Sequence, residues 1–168
     1  MCWSVKWRPL FSLKTTTPRY RVRSAIAAWR CPLLTLKTAH ADEMIAHALQ
    51  EDPNECCGIL SGKDETVSRL FRITNTARSP YRYLMDPQEQ LDADRESEGD
   101  GIEFLAFYHS HTHSAAYPSQ TDVRMALESG WLDVFYVLVS LEDKAAPQIR
   151  SFKIDRQGEV SEVEFQTL

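Results

Sequence analysis

Residues 101–110, Gly-Ile-Glu-Phe-Leu-Ala-Phe-Tyr-His-Ser, carry apolar side chains on both alternating faces, with Phe104, Ala106 and Tyr108 on one side and Leu105 and Phe107 on the other. A strand with one wet face alternates polar and apolar residues, so a run that is apolar on both faces reads as a buried central strand. This strand delivers His109 at its end, with His111 and His113 close behind. A polar cluster is thereby attached to the stiffest part of the chain.

The surrounding pattern supplies partners for such a strand. Leu33–Lys37 reads as a short strand, and Ala39–Glu51 places Met44, Ile45, Ala48 and Leu49 at helical spacing. Glu55–Gly62 and Thr66–Ile73 read as strands joined in a hairpin by the turn Gly62-Lys63-Asp64-Glu65. Asp86-Pro87-Gln88-Glu89 offers an N-cap, a proline at the first helical position and an acid at the third, which predicts a helix running into the acidic tract near Asp94 and ending around Glu98–Gly101. Thr121–Ser129, closed by Gly130, reads as a short capped helix. Residues 133–141, 148–154 and 159–165 read as three further strands. Mixed elements of this kind, without an internal repeat, predict an α/β or α+β protein.

At 168 residues, 43% hydrophobic and 26% charged, the chain can bury one real core. No apolar run approaches the roughly 18–20 residues that span a bilayer, so no membrane role is expected. Met1–Ala41 holds eight Lys or Arg and no acid, leaving eleven basic against twenty-four acidic residues beyond it, a balance of −13. So acidic a body argues against a phosphate-backbone binder and hence against a nucleic-acid partner. Residues 1–31 are basic, rich in Ser, Thr and Trp and without clear periodicity. They read as an extension or a transit-like leader set apart from a folded unit at 32–168. Cys2, Cys31, Cys56 and Cys57 form no disulfide framework and fit a reducing cytoplasm, with Cys56 and Cys57 as small strand residues.

In an extended segment residues i and i+2 point the same way, so His109 and His111 present both imidazoles to one side while Ser110 points away. His113 shares that parity only if the strand continues, and the Ala115-Ala116-Tyr117-Pro118 that follows breaks regularity. It is expected as an exposed loop residue. Ser119-x-x-Asp122 after a proline is close to a capping box, and a capped first turn would hold the aspartate rigidly with one oxygen free to face the strand end. Two histidines and a carboxylate are the three-ligand set of a catalytic zinc, which leaves one position open for water. A structural zinc would use cysteine-rich pairs, and no C-x-x-C spacing is present. Hydrolysis would also need a base, which composition does not single out from the many acids.

His109-Ser110-His111, seven residues, then Ser119-Gln120-Thr121-Asp122 resembles the signature of the JAMM metalloproteases, the MPN+ or JAB domains. Upstream, Glu55-Cys56-Cys57-Gly58-Ile59-Leu60-Ser61-Gly62 resembles that family's E-x-x-G-x-L-x-G strand. The likeness covers Leu34 to the C-terminus, and residues 75–91, NTARSPYRYLMDPQEQL, are most similar to bacterial members acting beside ubiquitin-like sulfur carriers. The resemblance implies a single α+β (α/β/α-like) MPN/JAB domain whose central mixed sheet is flanked by helices, as in cytidine deaminases. It implies one zinc per chain held by His109, His111 and Asp122, with Glu55 as general acid/base, Ser119 donating a hydrogen bond to the oxyanion, and His113 beside the ligands or facing substrate. The implied activity is hydrolysis of an amide at the C-terminal tail of a ubiquitin-like or sulfur-carrier protein, such as a carrier–cysteine adduct, with the tail bound by strand addition. A homodimer stays open, and the alternative is a noncatalytic MPN-like scaffold that binds protein partners. Thr112 departs from the proline that many members carry after the second histidine, which would loosen the ligand loop, and His113 is an addition.

Overall fold

A strand with neighbours on both edges and a layer on both faces is what the 101–110 run demands, and the computed structural model, which describes residues 33–168, provides it. In chain order the elements are β1 (Leu34–Leu36), α1 (Thr38–Glu51), β2 (Cys57–Lys63), β3 (Thr66–Ile73), α2 (Pro87–Gly99), β4 (Glu103–His111), α3 (Gln120–Ser129), β5 (Phe135–Ser140), β6 (Gln148–Ile154), β7 (Val160–Val163) and β8 (Phe165–Thr167). They form one mixed sheet in the order β7-β6-β5-β4-β2-β3-β1-β8. β4 lies inside it, antiparallel to β2 and parallel to β5. The expected extension at 1–31, with Cys2 and Cys31, lies outside the described residues.

Two cores sandwich the sheet. Met44 and Ala48 of α1 pack with Cys56, Leu60, Tyr108 and Val137 on one face. Ala93 of α2 and Ala126 of α3 pack with Cys57, Ile59, Phe107 and Leu138 on the other. Neighbouring residues such as Cys56 and Cys57 thus feed opposite cores, as the period of two requires. Both thiols are buried and free, and burial pushes Cys56 up to about 12, so they are inert filling, as expected of small strand residues.

The alternation read from the sequence fails at one place. Phe104 packs with Phe107 on the α2–α3 side, while Leu105 and Ala106 both face the α1 side. The register explains it: Leu60 pairs with Ala106 but Ser61 with Phe104, so Leu105 is an extra residue in a bulge. Parity is regular from Ala106 onward, and the histidines keep their common face. A second difference concerns residues 159–165, which are not one strand. β7 pairs with β6 and β8 with β1, so two segments separated only by Glu164 occupy opposite edges of the sheet. Only a strongly curled sheet can bring its edges that close. Asp86 caps α2 as expected, accepting from Gln88 N and Glu89 N, and the 62–65 hairpin is made with positive φ at Asp64 and Glu65. No helix among the described residues is long and apolar enough to cross a membrane.

Gly58 stands directly opposite Tyr108. A Cβ there would run into the Tyr108 ring and the Phe71 carbonyl oxygen, so the glycine lets the tyrosine lie flat across β2. Tyr108 then reaches His47 of α1, with its hydroxyl 2.8 Å from Nδ1 in a buried contact. Burial first, then the charge of Arg72, lowers the His47 pKa from 6.5 to about 4 against the opposing pull of Glu43.

Two outcomes follow from this packing. Gly58→Ala should lose about 1–3 kcal/mol in denaturant melts, the usual cost of overpacking, whereas Gly99→Ala, whose new methyl meets nothing, should not destabilise. Because the folded His47 pKa lies below its unfolded value, its contribution is complete above about pH 6.5 and is lost as pH falls towards 4. This is a decline of about 2–3 kcal/mol that His47→Gln should flatten in melts across that window.

Candidate metal centre

The end of β4 is paired on both sides: His109 faces Cys57 across β2 and Leu138 across β5, and His111 faces Ser140. Ser110, pointing the other way, extends the β2 side beyond its last ladder pair. Its Oγ accepts from Cys56 N at 2.8 Å and its N–H donates to Cys56 O at 3.1 Å. This stitch brings Glu55, one residue further back, alongside the histidines. Glu55 is buried, its N–H donates to Ser79 O at 2.9 Å, and its carbonyl accepts from Asn75 Nδ2 at 2.8 Å.

The third component arrives from α3. Ser119 is the N-cap, its Oγ accepting from Asp122 N at 3.2 Å while Asp122 Oδ2 accepts from Ser119 N at 2.7 Å. This is the capping box expected from the sequence, and it turns the carboxylate toward the strand end. Asp122 Oδ1 lies 3.4 Å from His109 Nε2, Oδ2 lies 3.4 Å from His111 Nε2, and the two Nε2 atoms are 3.2 Å apart. The two 3.4 Å distances run to different carboxylate oxygens, and one ligand atom from each residue lies within 4.8 Å of the others, so the set is compact and its two imidazoles and carboxylate are donors that zinc takes. All three residues are buried.

The electrostatics suit a cation. Burial alone would raise the Asp122 pKa, but the charge of His109 and hydrogen bonds from both histidines and Ser119 hold it well below the usual carboxylate range. Burial works to lower His111, yet its hydrogen bond with Asp122 and that carboxylate's charge outweigh it and the pKa is raised. Burial raises Glu55, with His109 and His111 pulling against the shift and Asp122 adding to it. His111 Nδ1 is 3.1 Å from Ala115 O, which favours a proton on Nδ1 and a lone pair on Nε2, the tautomer a metal ligand needs.

Of the residues singled out in the sequence, His109, His111 and Asp122 converge, and Glu55 is buried beside them. Ser119 sits exposed at the rim. His113 does not join them: β4 ends at His111, and His113 is exposed with its ring 6.3 Å from that of Tyr81. Thr112 does not loosen the loop either. It is buried, and its hydroxyl donates to Pro80 O at 3.2 Å, tying the ligand loop to the segment after β3. At the end of β4 His109 is paired on both sides, whereas His111 is paired, among the described residues, only with Ser140 of β5. Asn75 and Tyr83 were not foreseen. Their one signal was membership of the 75–91 segment already noted for its likeness to bacterial members.

A model of the prokaryotic homologs of the JAB domain matches residues 37–155. The chain belongs to that family. Among relatives of this JAB domain, the CysO-cysteine peptidase of Mycobacterium tuberculosis is 39% identical over 124 residues, 73% of this chain and 83% of that one. The probable TtuB-protein conjugate cleaving protease of Thermus thermophilus is 35% identical over 121 residues, 71% of this chain and 75% of that protein. The desampylase of Haloferax volcanii is 32% identical over 114 residues, covering 64% and 80%. A solution structure from Desulfitobacterium hafniense matches with a TM-score of 0.70 at 35% identity over 80% of this chain and 92% of that one. A JAB1/MPN domain protein from Archaeoglobus fulgidus, at 16% identity and a TM-score of 0.51 over 79% and 98%, shares the fold. The α+β MPN/JAB architecture implied by the sequence is the one observed.

If the cluster is a metal site, Asp122→Asn, which removes the charge but keeps an oxygen for the cap, should weaken zinc binding by at least about 10–100-fold in a chelator competition. Affinity should also fall as pH is lowered through the raised pKa of His111, because a protonated imidazole has no lone pair to offer.

Proposed function

We propose that this JAB domain is a zinc-dependent peptidase that hydrolyses an amide bond at the C-terminal tail of a ubiquitin-like or sulfur-carrier protein, with a carrier–cysteine adduct as one such substrate. The observation that carries the reading is a buried carboxylate, Glu55, beside a compact His109–His111–Asp122 donor set. The names of the relatives, a carrier–cysteine peptidase, a conjugate-cleaving protease and a desampylase, support the substrate class.

In this reading His109, His111 and Asp122 hold the zinc. When bound, the metal would lower the pKa of a water toward about 7 and polarise the scissile carbonyl. Glu55 takes the proton of the attacking water and returns it to the departing amine. Its burial suits both halves of that task, because a carboxyl with a raised pKa holds a proton more readily than an exposed one. Ser119 spends an Oγ lone pair on Asp122 N, which leaves its O–H free to donate to the developing oxyanion. In the same reading His113 and Tyr81, exposed on the two segments that Thr112 ties together, would contact a tail running past the ligands.

The deciding experiment follows the mass of ubiquitin-like carriers bearing a C-terminal cysteine or a short peptide extension. Glu55→Gln should bind zinc as the wild type does yet cleave about 10²–10⁴-fold more slowly. Equal cleavage by the two proteins, or none by the zinc-loaded wild type on any carrier, would count against the peptidase and favour a noncatalytic scaffold.

A further inference from the structure

The two histidines of the cluster are held by different means. His111 Nδ1 faces Ala115 O at 3.1 Å and Ser114 Oγ at 3.3 Å, the kind of hydrogen bond that ordinarily fixes the plane and tautomer of a metal-binding imidazole. His109 Nδ1 is buried and has no hydrogen-bond partner among the described residues. A ring without that bond is free to turn about its last torsion unless something packs against its face. Tyr83 does so: the two ring centroids are 4.5 Å apart with planes inclined by 28°, an offset stack.

Tyr83 is itself firmly placed. It is buried while Arg82 and Leu84 on either side are exposed, and its hydroxyl makes no hydrogen bond among the described residues. Backbone bonds from Thr76 N to Leu84 O and from Asp86 N to Thr74 O hold the segment that follows it, and the side chain of Asn75, also buried, grips Tyr83 itself. Its Nδ2 donates to Arg82 O at 3.2 Å and its Oδ1 accepts from Leu84 N at 2.9 Å, so one amide grips the peptide groups before and after Tyr83. The same Nδ2 donates to Glu55 O at 2.8 Å, and Oδ1 also accepts from Ala77 N at 3.0 Å. A single side chain therefore ties the backbone of Glu55 to the segment carrying the ring that covers His109.

We propose that Tyr83 is a positioning residue that sets the ring plane of His109 by stacking, and that Asn75 clamps Tyr83 and Glu55 into one frame. The proposal rests on reading the donor set as a metal site. It requires the aromatic face of Tyr83 and makes the hydroxyl dispensable.

The test uses the full chain loaded with zinc, or with cobalt for its visible spectrum, and needs no substrate. Tyr83→Phe should keep zinc affinity within about twofold and leave the cobalt spectrum unchanged. Tyr83→Met, similar in bulk but without a flat face, should weaken zinc by about 10–100-fold and shift the spectrum, with the melting of the metal-free protein recorded alongside. Asn75→Asp, which keeps an acceptor for Leu84 N but turns an oxygen on two carbonyls, should weaken zinc in the same direction. It also carries the test if Tyr83→Met does not fold. Wild-type affinity and spectrum in Tyr83→Met, or in Asn75→Asp where it stands in, would overturn the proposal while leaving the peptidase reading intact. So would a Tyr83→Phe defect as large as that of Tyr83→Met. A wild-type chain that takes up no zinc would overturn both.

Discussion

Asp122 is asked to do two things with one carboxylate. Its Oδ2 accepts from Ser119 N to begin α3, and both oxygens face imidazoles at the end of β4. The start of a helix and the assembly of the donor set are thus the same interaction. A charge this deeply buried is tolerable only because its lone pairs are engaged, by the cap on one side and by histidine or a cation on the other. That dual engagement fixes the distance between α3 and the sheet, and with it how closely the exposed Ser119 sits to the donor set.

His109 and His111 owe their placement to strand pairing rather than to a loop. β4 is held on both edges through His109, and Ser110 continues the β2 side with a side-chain hydrogen bond where the regular ladder has run out. Because Ser110 and the histidines point to opposite faces, the residue that looks idle in the motif aligns Glu55 from behind. On that rear face Gly58 makes room for Tyr108, whose contact with His47 secures α1 beneath the same strand. The Tyr108–His47 contact on one side of the sheet and the donor set on the other share a backbone.

Much of this was legible in the sequence because it depends on short-range rules. The period of two gave the common face of His109 and His111, and the Ser119-x-x-Asp122 spacing gave the cap. The buried character of residues 101–110 placed the strand inside the sheet. Long-range facts stayed hidden. The bulge at Leu105 arises from how β4 meets β2, and nothing within 101–110 marks it. The split of 159–165 depends on which distant strands stand beside each half. Thr112 looked like a loosened joint because its acceptor, Pro80, lies far away in sequence. Glu55 was singled out only by likeness to a family, since no local pattern distinguishes it from the other acids. The clamp by Asn75 involves partners on both sides of β3, which no single window of sequence contains.

The curl of the sheet also sets an order of events. β1 lies between β3 and β8, and the backbone of Leu168 bonds to Leu36 and Thr38, the latter contact spanning 130 residues. The outer edge of β1 is therefore covered only by a strand some 130 residues further along the chain. Closing so long a loop adds slowly growing entropy but makes the contact a late one. Until it forms, one side of β1 is an unfinished seam whose backbone groups must find water in place of a partner.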